Sequence, residues 1–121
     1  MKKLLSILLL AFGLTAQTIP TLPLFKAVSE SFDVSVDFTP AIGSGGAAVV
    51  SVTAQDTSTN QPTPQIIATS PAPGVVGSTD VVGFRLQGGQ VNHAYLVTVI
   101  ARNVTSGETW EGQINVTING Q

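Results

Sequence analysis

A single histidine, no cysteine and seven carboxylates set against five Lys and Arg make up almost all the reactive chemistry of this 121-residue chain. A zinc site built around His93 would have to be completed by carboxylates, because no thiolate is present. His93 follows Asn92, so it is expected as a turn residue facing solvent. A Ser-His-Asp relay would have to recruit the same imidazole, and no nucleophile elbow is present. The run 43–46, Gly-Ser-Gly-Gly, lacks the lysine and the following helix of a phosphate loop. Asp33 and Asp37 lie four apart on one expected strand, roughly 13 Å from end to end. That is too far for a shared proton or a close carboxylate pair. Asp56 and Asp80 stand near expected strand ends, where some sandwich domains bind calcium, but no DxDxDG-type repeat accompanies them. Asn103-Val104-Thr105 and Asn115-Val116-Thr117 fit the N-glycosylation pattern, although strand alternation accounts for both threonines equally well. The expectation is a protein that is not an enzyme, with no cofactor, no metal and no catalytic residue.

The elements that carry these residues read as strands. In Phe32–Thr39 the apolar residues Phe32, Val34, Val36 and Phe38 alternate with polar ones, which is the period of a half-buried strand. Ala48, Val50, Val52 and Ala54 are expected on the inner face of the next strand. Residues 57–64 form a polar loop, Ile66 to Thr69 a short edge strand, and residues 70–74 a proline-rich turn. Val82, Phe84 and Leu86 point inward with Arg85 outward. Gly88 and Gly89 make a tight turn, because glycine accepts positive φ without a Cβ clash. Tyr95, Val97, Val99 and Ala101 line the following strand. A hairpin around Gly107 leads to a last strand with Trp110, Ile114, Val116 and Ile118 inward. Regular short strands separated by turn signals predict an all-β chain. About seven strands favour an immunoglobulin-like or fibronectin-III-like β-sandwich over residues 31–121, with residues 17–30 as a linker or extended arm that Phe25 and Val28 pin to the domain.

In such a sandwich a tyrosine just past a corner forms a tyrosine corner, its ring in the core and its hydroxyl bonded to the chain upstream. Tyr95 after Gly88-Gly89 fits that place, and Trp110 is the other large core filler. Leu96 and Ile100 are apolar on the outer side of the same strand. They are candidate partner contacts on a partly covered outer face, with cover by the N-terminal arm or ordinary scattered surface hydrophobes as the alternatives, and the loops at 43–46, 57–64 and 103–108 are the other candidate contacts.

Residues 1–16 differ in kind. Lys2 and Lys3 precede an apolar run from Leu4 to Leu14, and small residues follow, with candidate cuts after Gly13 or Ala16. This is the anatomy of a secretory signal peptide. The run is short for a transmembrane helix, so membrane contact is expected only through this segment, if it stays uncleaved. Beyond it, Lys26, Arg85 and Arg102 face seven carboxylates, a balance of −4. No basic stripe exists to neutralise phosphates, so nucleic acid is not an expected partner.

Three stretches together resemble a known family. They are Val36-Asp37-Phe38-Thr39, then Gly88-Gly89 with Tyr95, Val97 and Thr98, then Thr105-Ser106-Gly107-Glu108-Thr109. Over about residues 30–118 the chain is similar to small immunoglobulin-like proteins of tailed bacteriophages, the fiber–tail adaptor or minor structural type. The resemblance implies a non-catalytic virion protein that joins the connector or tail to fibers, or decorates the particle. Its partners would be other virion proteins, with homo-oligomers an open possibility. Fibronectin-type bacterial modules share the Gly…Tyr-x-Val corner. The alternative is therefore a secreted or cell-surface module that binds proteins or carbohydrate.

Overall fold

The computed structural model describes residues 18–19, 21, 23–42, 46–77 and 80–119. The apolar segment 1–16, with its candidate cleavage points, and residues 43–45 of the glycine-rich loop lie outside the described residues. The described chain is an all-β sandwich. The strands are β1 (Thr18–Ile19), β2 (Leu24–Ala27), β3 (Phe32–Asp37), β4 (Ala47–Asp56), β5 (Gln61–Pro62), β6 (Gly74–Val75), β7 (Val81–Leu86), β8 (Ala94–Asn103) and β9 (Thr109–Asn119). One helical turn, α1 (Thr39–Ile42), follows β3.

The larger sheet runs β1-β9-β8-β4-β5, with β2 also on β9, and the smaller runs β3-β7-β6. Placing β3, β7 and β6 in one sheet and β4, β8 and β9 in the other is the division of the immunoglobulin-type sandwich. The first strand departs from it by joining the larger sheet. β1 and β2 both pair in parallel with β9, Thr18 with Glu111 and Leu24 through Ala27 with Val116 through Asn119. The stretch expected as a linker or arm is thus the edge of the larger sheet.

That register also reverses the expectation for its anchors. Phe25 lies level with Thr117 on the outer face and is 64 % exposed, while Lys26 lies level with inward-facing Ile118 and is buried. The buried ammonium donates to the carbonyls of Ala27 (2.6 Å) and Val28 (3.3 Å). Burial pushes the Lys26 pKa down, partly opposed by the Glu30 carboxylate. Val28 packs against the core cluster as expected.

The core is the inner alternation of both sheets, with Val36, Phe38, Val82, Phe84, Leu86, Tyr95, Val97, Val99, Ile114, Val116 and Ile118 all buried. Two expected elements differ. A bulge interrupts the β4–β8 register between Val49, which pairs with Ala101, and Ser51, which pairs with Ile100. The extra residue, Val50, is 54 % exposed rather than inward. The same shift sets Ala48 beside Arg102 and leaves Val52 and Ala54 as the inward pair. A bulge places two residues opposite one, so alternation on either side of it falls out of phase. The short strand expected over Ile66–Thr69 is instead a 3-10 turn, Pro64–Ile66, followed by a single bridge from Ile67 to Leu86. Ile66, Ile67 and Ala68 are buried in succession, which an alternating strand on one face of a sheet does not allow.

Tyr95 closes the turn between β7 and β8. Its ring is 1 % exposed, and its hydroxyl accepts a 2.9 Å hydrogen bond from the backbone N–H of Gln90. Gly89 makes room for this. Its φ is +101°, and a Cβ there would sit 2.8 Å from Ile118 Cδ1 and 3.5 Å from the Tyr95 ring. Gly88, at φ +62°, starts the same turn. Gly89→Ala should therefore destabilise the fold by about 2 kcal/mol or more through strain and overpacking. Tyr95→Phe should cost about 1 kcal/mol, because it leaves the Gln90 N–H without its acceptor. Urea unfolding followed by Trp110 fluorescence measures both, and the glycine substitution should be the more damaging.

Candidate interaction surfaces

The strand directions sort the loops into two ends. β4 finishes where β8 begins, so residues 57–60, the turn before Ala94 and the β2–β3 turn share one end. Gly46, the turn after Val75 and the hairpin 103–108 share the other, where Val104 N donates to Gly46 O (3.1 Å). Gly46 and the 103–108 hairpin, from two of the candidate contact loops, therefore lie together, and 57–64 lies at the far end.

His93 is not a solvent-facing turn residue. Its side chain is three-quarters covered, and Nδ1 lies 2.7 Å from Asp56 Oδ2. The cause is register. Asp56 ends β4 opposite Tyr95, and its carboxylate is buried. A buried carboxylate needs donors, and it takes them from His93 and from the Ser58 N–H at 2.8 Å. An ionised carboxylate only accepts, so Nδ1 carries the hydrogen of this pair. The imidazole also stacks on the Tyr95 ring, with centroids 6.4 Å apart. Burial raises the Asp56 pKa. The hydrogen bonds from His93, Ser58 and Thr59, together with the His93 charge, outweigh it and leave the carboxyl below its ordinary value. Among the described residues no hydroxyl nucleophile is bonded to the imidazole. The arrangement is a clasp between the end of β4 and the start of β8.

The other carboxylates serve locally. Asp33 accepts from Arg85 Nε at 2.8 Å, which holds its carboxyl below the usual range, and Asp37 Oδ1 accepts from Thr39 N at 2.9 Å at the start of α1. Asp56 and Asp80 sit at opposite ends of the sandwich, Asp80 beside Phe38 and Asp56 beside Ala94. Among the described residues no three His, Asp or Glu side chains gather as a metal site. Asn103 turns its amide oxygen onto the N–H groups of Thr105 and Ser106, while Asn115 is exposed mid-strand.

Leu96 and Ile100 are both half-buried on the outer face of the larger sheet. Leu96 lies between Gln55 and Asn115, and Ile100 between Ser51 and Glu111. Leu96 lines a shallow depression of about 370 Å³ with Thr53, Gln55, Asn60, Pro62 and Thr98. Ile100 lies beyond Thr98 and does not join it. Phe25 adds an exposed ring at the β2 border of the same face. Its exposure was not legible from sequence, because only the parallel register with β9 decides which way it points. Trp110 packs against the core cluster while staying half-buried, and its indole N–H is buried with no partner among the described residues.

No family model matches the chain, and no curated protein matches its sequence.

The Asp56 clasp gives a pH dependence with a fixed sign. A carboxyl whose folded pKa lies below its unfolded value of about 3.9 contributes stability that is fully present above that value. The contribution fades as pH falls through the lower folded pKa. Asp33 and Asp37 shift in the same direction. The urea midpoint should hold above about pH 5 and drop below about pH 4. The drop should be shallower in Asp56→Asn, measured by urea unfolding at a series of pH values.

Proposed function

We propose that this chain is a non-catalytic interaction protein, a virion component of a tailed bacteriophage that joins tail or connector to fibers or decorates the particle. The observation that carries the reading is the division of labour among its side chains. The groups that could do chemistry, Asp56, His93, Asp33 and Arg85, are spent on one another. Of the apolar groups left at the surface, Leu96, Ile100 and Phe25 share one broad sheet face, while Val76, Val91 and Val104 lie outside the strands. The motifs behind the family resemblance occupy the corner around Tyr95 and the hairpin around Gly107, so they support a shared fold as well.

The charged and apolar pattern of residues 1–16 favours a second reading, a secreted or cell-surface module. Intact mass from the native source separates the two. A mass matching the full chain, in stoichiometric amounts within purified virions, supports the first. A mass matching residues 14–121 or 17–121, with the protein confined to periplasm or medium, removes it. On the virion reading, Leu96→Arg with Ile100→Arg should lower incorporation at least tenfold. Surface changes of this kind should move stability by only about 0.5 kcal/mol each. Quantitative mass spectrometry of particles, beside thermal melts of the purified variant, measures both effects.

A further inference from the structure

Among the described residues, the transfer of β1 and β2 to β9 leaves β3 as an end strand of the smaller sheet. Phe38 N donates to Asp80 O at 2.9 Å, and the alternation of an antiparallel ladder then directs the N–H and C=O groups of Asp33, Ser35 and Asp37 away from β7. Beside this open edge the two sheets do not close. A groove of about 300 Å³ lies along the seam; Ile19, Leu24, Val34, Val36 and Ile114 give it a mainly apolar lining, and Thr21, Ser35 and Asp37 also border it. Next to two of its lining residues, Val36 and Ile19, the layers come close at Gly112. A Cβ there would lie 3.1 Å from Val36 and 3.4 Å from Ile19. Phe32 and Val34 belong to the core face of β3 yet stay half-buried, as the open seam requires.

A strand laid against β3 would alternate its side chains as β3 does. Those on one side would enter the apolar groove, and those on the other would lie beside Asp33, Ser35 and Asp37. We propose that the free edge of β3 is a docking site for an extended strand of a partner protein whose residues alternate between aliphatic and basic. Backbone hydrogen bonds would supply binding and the groove the register, as in strand addition to other open sheet edges. Charge decides the partner. The outer row of β3 carries Asp33, which Arg85 already pairs, and Asp37, and with a domain balance of −4 a basic strand is attracted. A second copy of β3 is disfavoured, because antiparallel pairing centred on Ser35 would set Asp33 opposite Asp37.

The proposal rests on the reading of this chain as an interaction protein, but its test uses the isolated full chain, so it stands or falls independently of where the protein resides. The probes are two capped seven-residue peptides, one alternating Lys and Val and one alternating Glu and Val. Binding is followed by calorimetry and by hydrogen exchange. The Lys-Val peptide should bind at least tenfold more tightly than the Glu-Val peptide and should slow exchange at the Asp33, Ser35 and Asp37 amides. Ser35→Lys should weaken it about tenfold by placing a like charge at the centre of the row. Ser35→Pro should abolish the protection, since proline removes an outward N–H that an edge position does not need for folding. Equal binding of both peptides, no binding, or protection elsewhere would overturn the proposal. So would protection of these three amides in the free chain, whether it rises with concentration through self-pairing or is independent of it because another part of the chain fills the edge.

Discussion

The parallel pairing of residues 18–19 and 24–27 with β9 is the constraint on which most of this structure depends. Once Leu24 is level with Val116, period-two geometry leaves no choice for its neighbours. Residue 25 must face out and residue 26 must face in. The chain therefore exposes a phenylalanine and buries a lysine, against the preference of both side chains. The burial is tolerated because the lysine stem is apolar and its ammonium reaches the backbone carbonyls of Ala27 and Val28. The same pairing gives the larger sheet its border strands and leaves β3 at a border of the smaller.

Much of the sandwich was legible from alternation alone. β3, β7, β8 and β9 show inner and outer residues in the order their sequences predict, because each runs without interruption between recognisable turns. Tyr95 was legible for a different reason. A large ring placed after two glycines at a corner has few other places to go. Three of the failures share one cause. Val50, Phe25 and His93 were misread because their orientation depends on a second strand. Val50 depends on a bulge that only the β8 partner reveals, Phe25 on the β9 register, and His93 on the arrival of Asp56 across a ladder from a position 37 residues earlier. Ile66 and Ile67 looked like a strand because two β-branched residues in sequence favour one. The proline before them starts a turn that buries both.

Among the described residues, the borders at β4 and β3 are treated differently. Along β4, only Gln55 and Asp56 are covered by β5, and the bulge at Val50 kinks the uncovered part. A kinked border is a poor template for another strand. β3 keeps an unbroken six-residue register with β7 and has no bulge. Its protection against its own kind is electrostatic, which discourages a copy while leaving the backbone straight. One border is closed by shape and the other is restricted by charge.

The entry point of the chain gives the domain a direction. Thr18 lies beside Glu111, near the beginning of β9, at the end that also holds Gly46 and the hairpin after Asn103. β9 then runs eleven residues to the opposite end, a span of roughly 35 Å. Whatever holds the residues before Thr18 holds the domain by that end. The polar loop after Asp56 is carried at the far tip, and the His93 clasp works as the stiffened root of that tip.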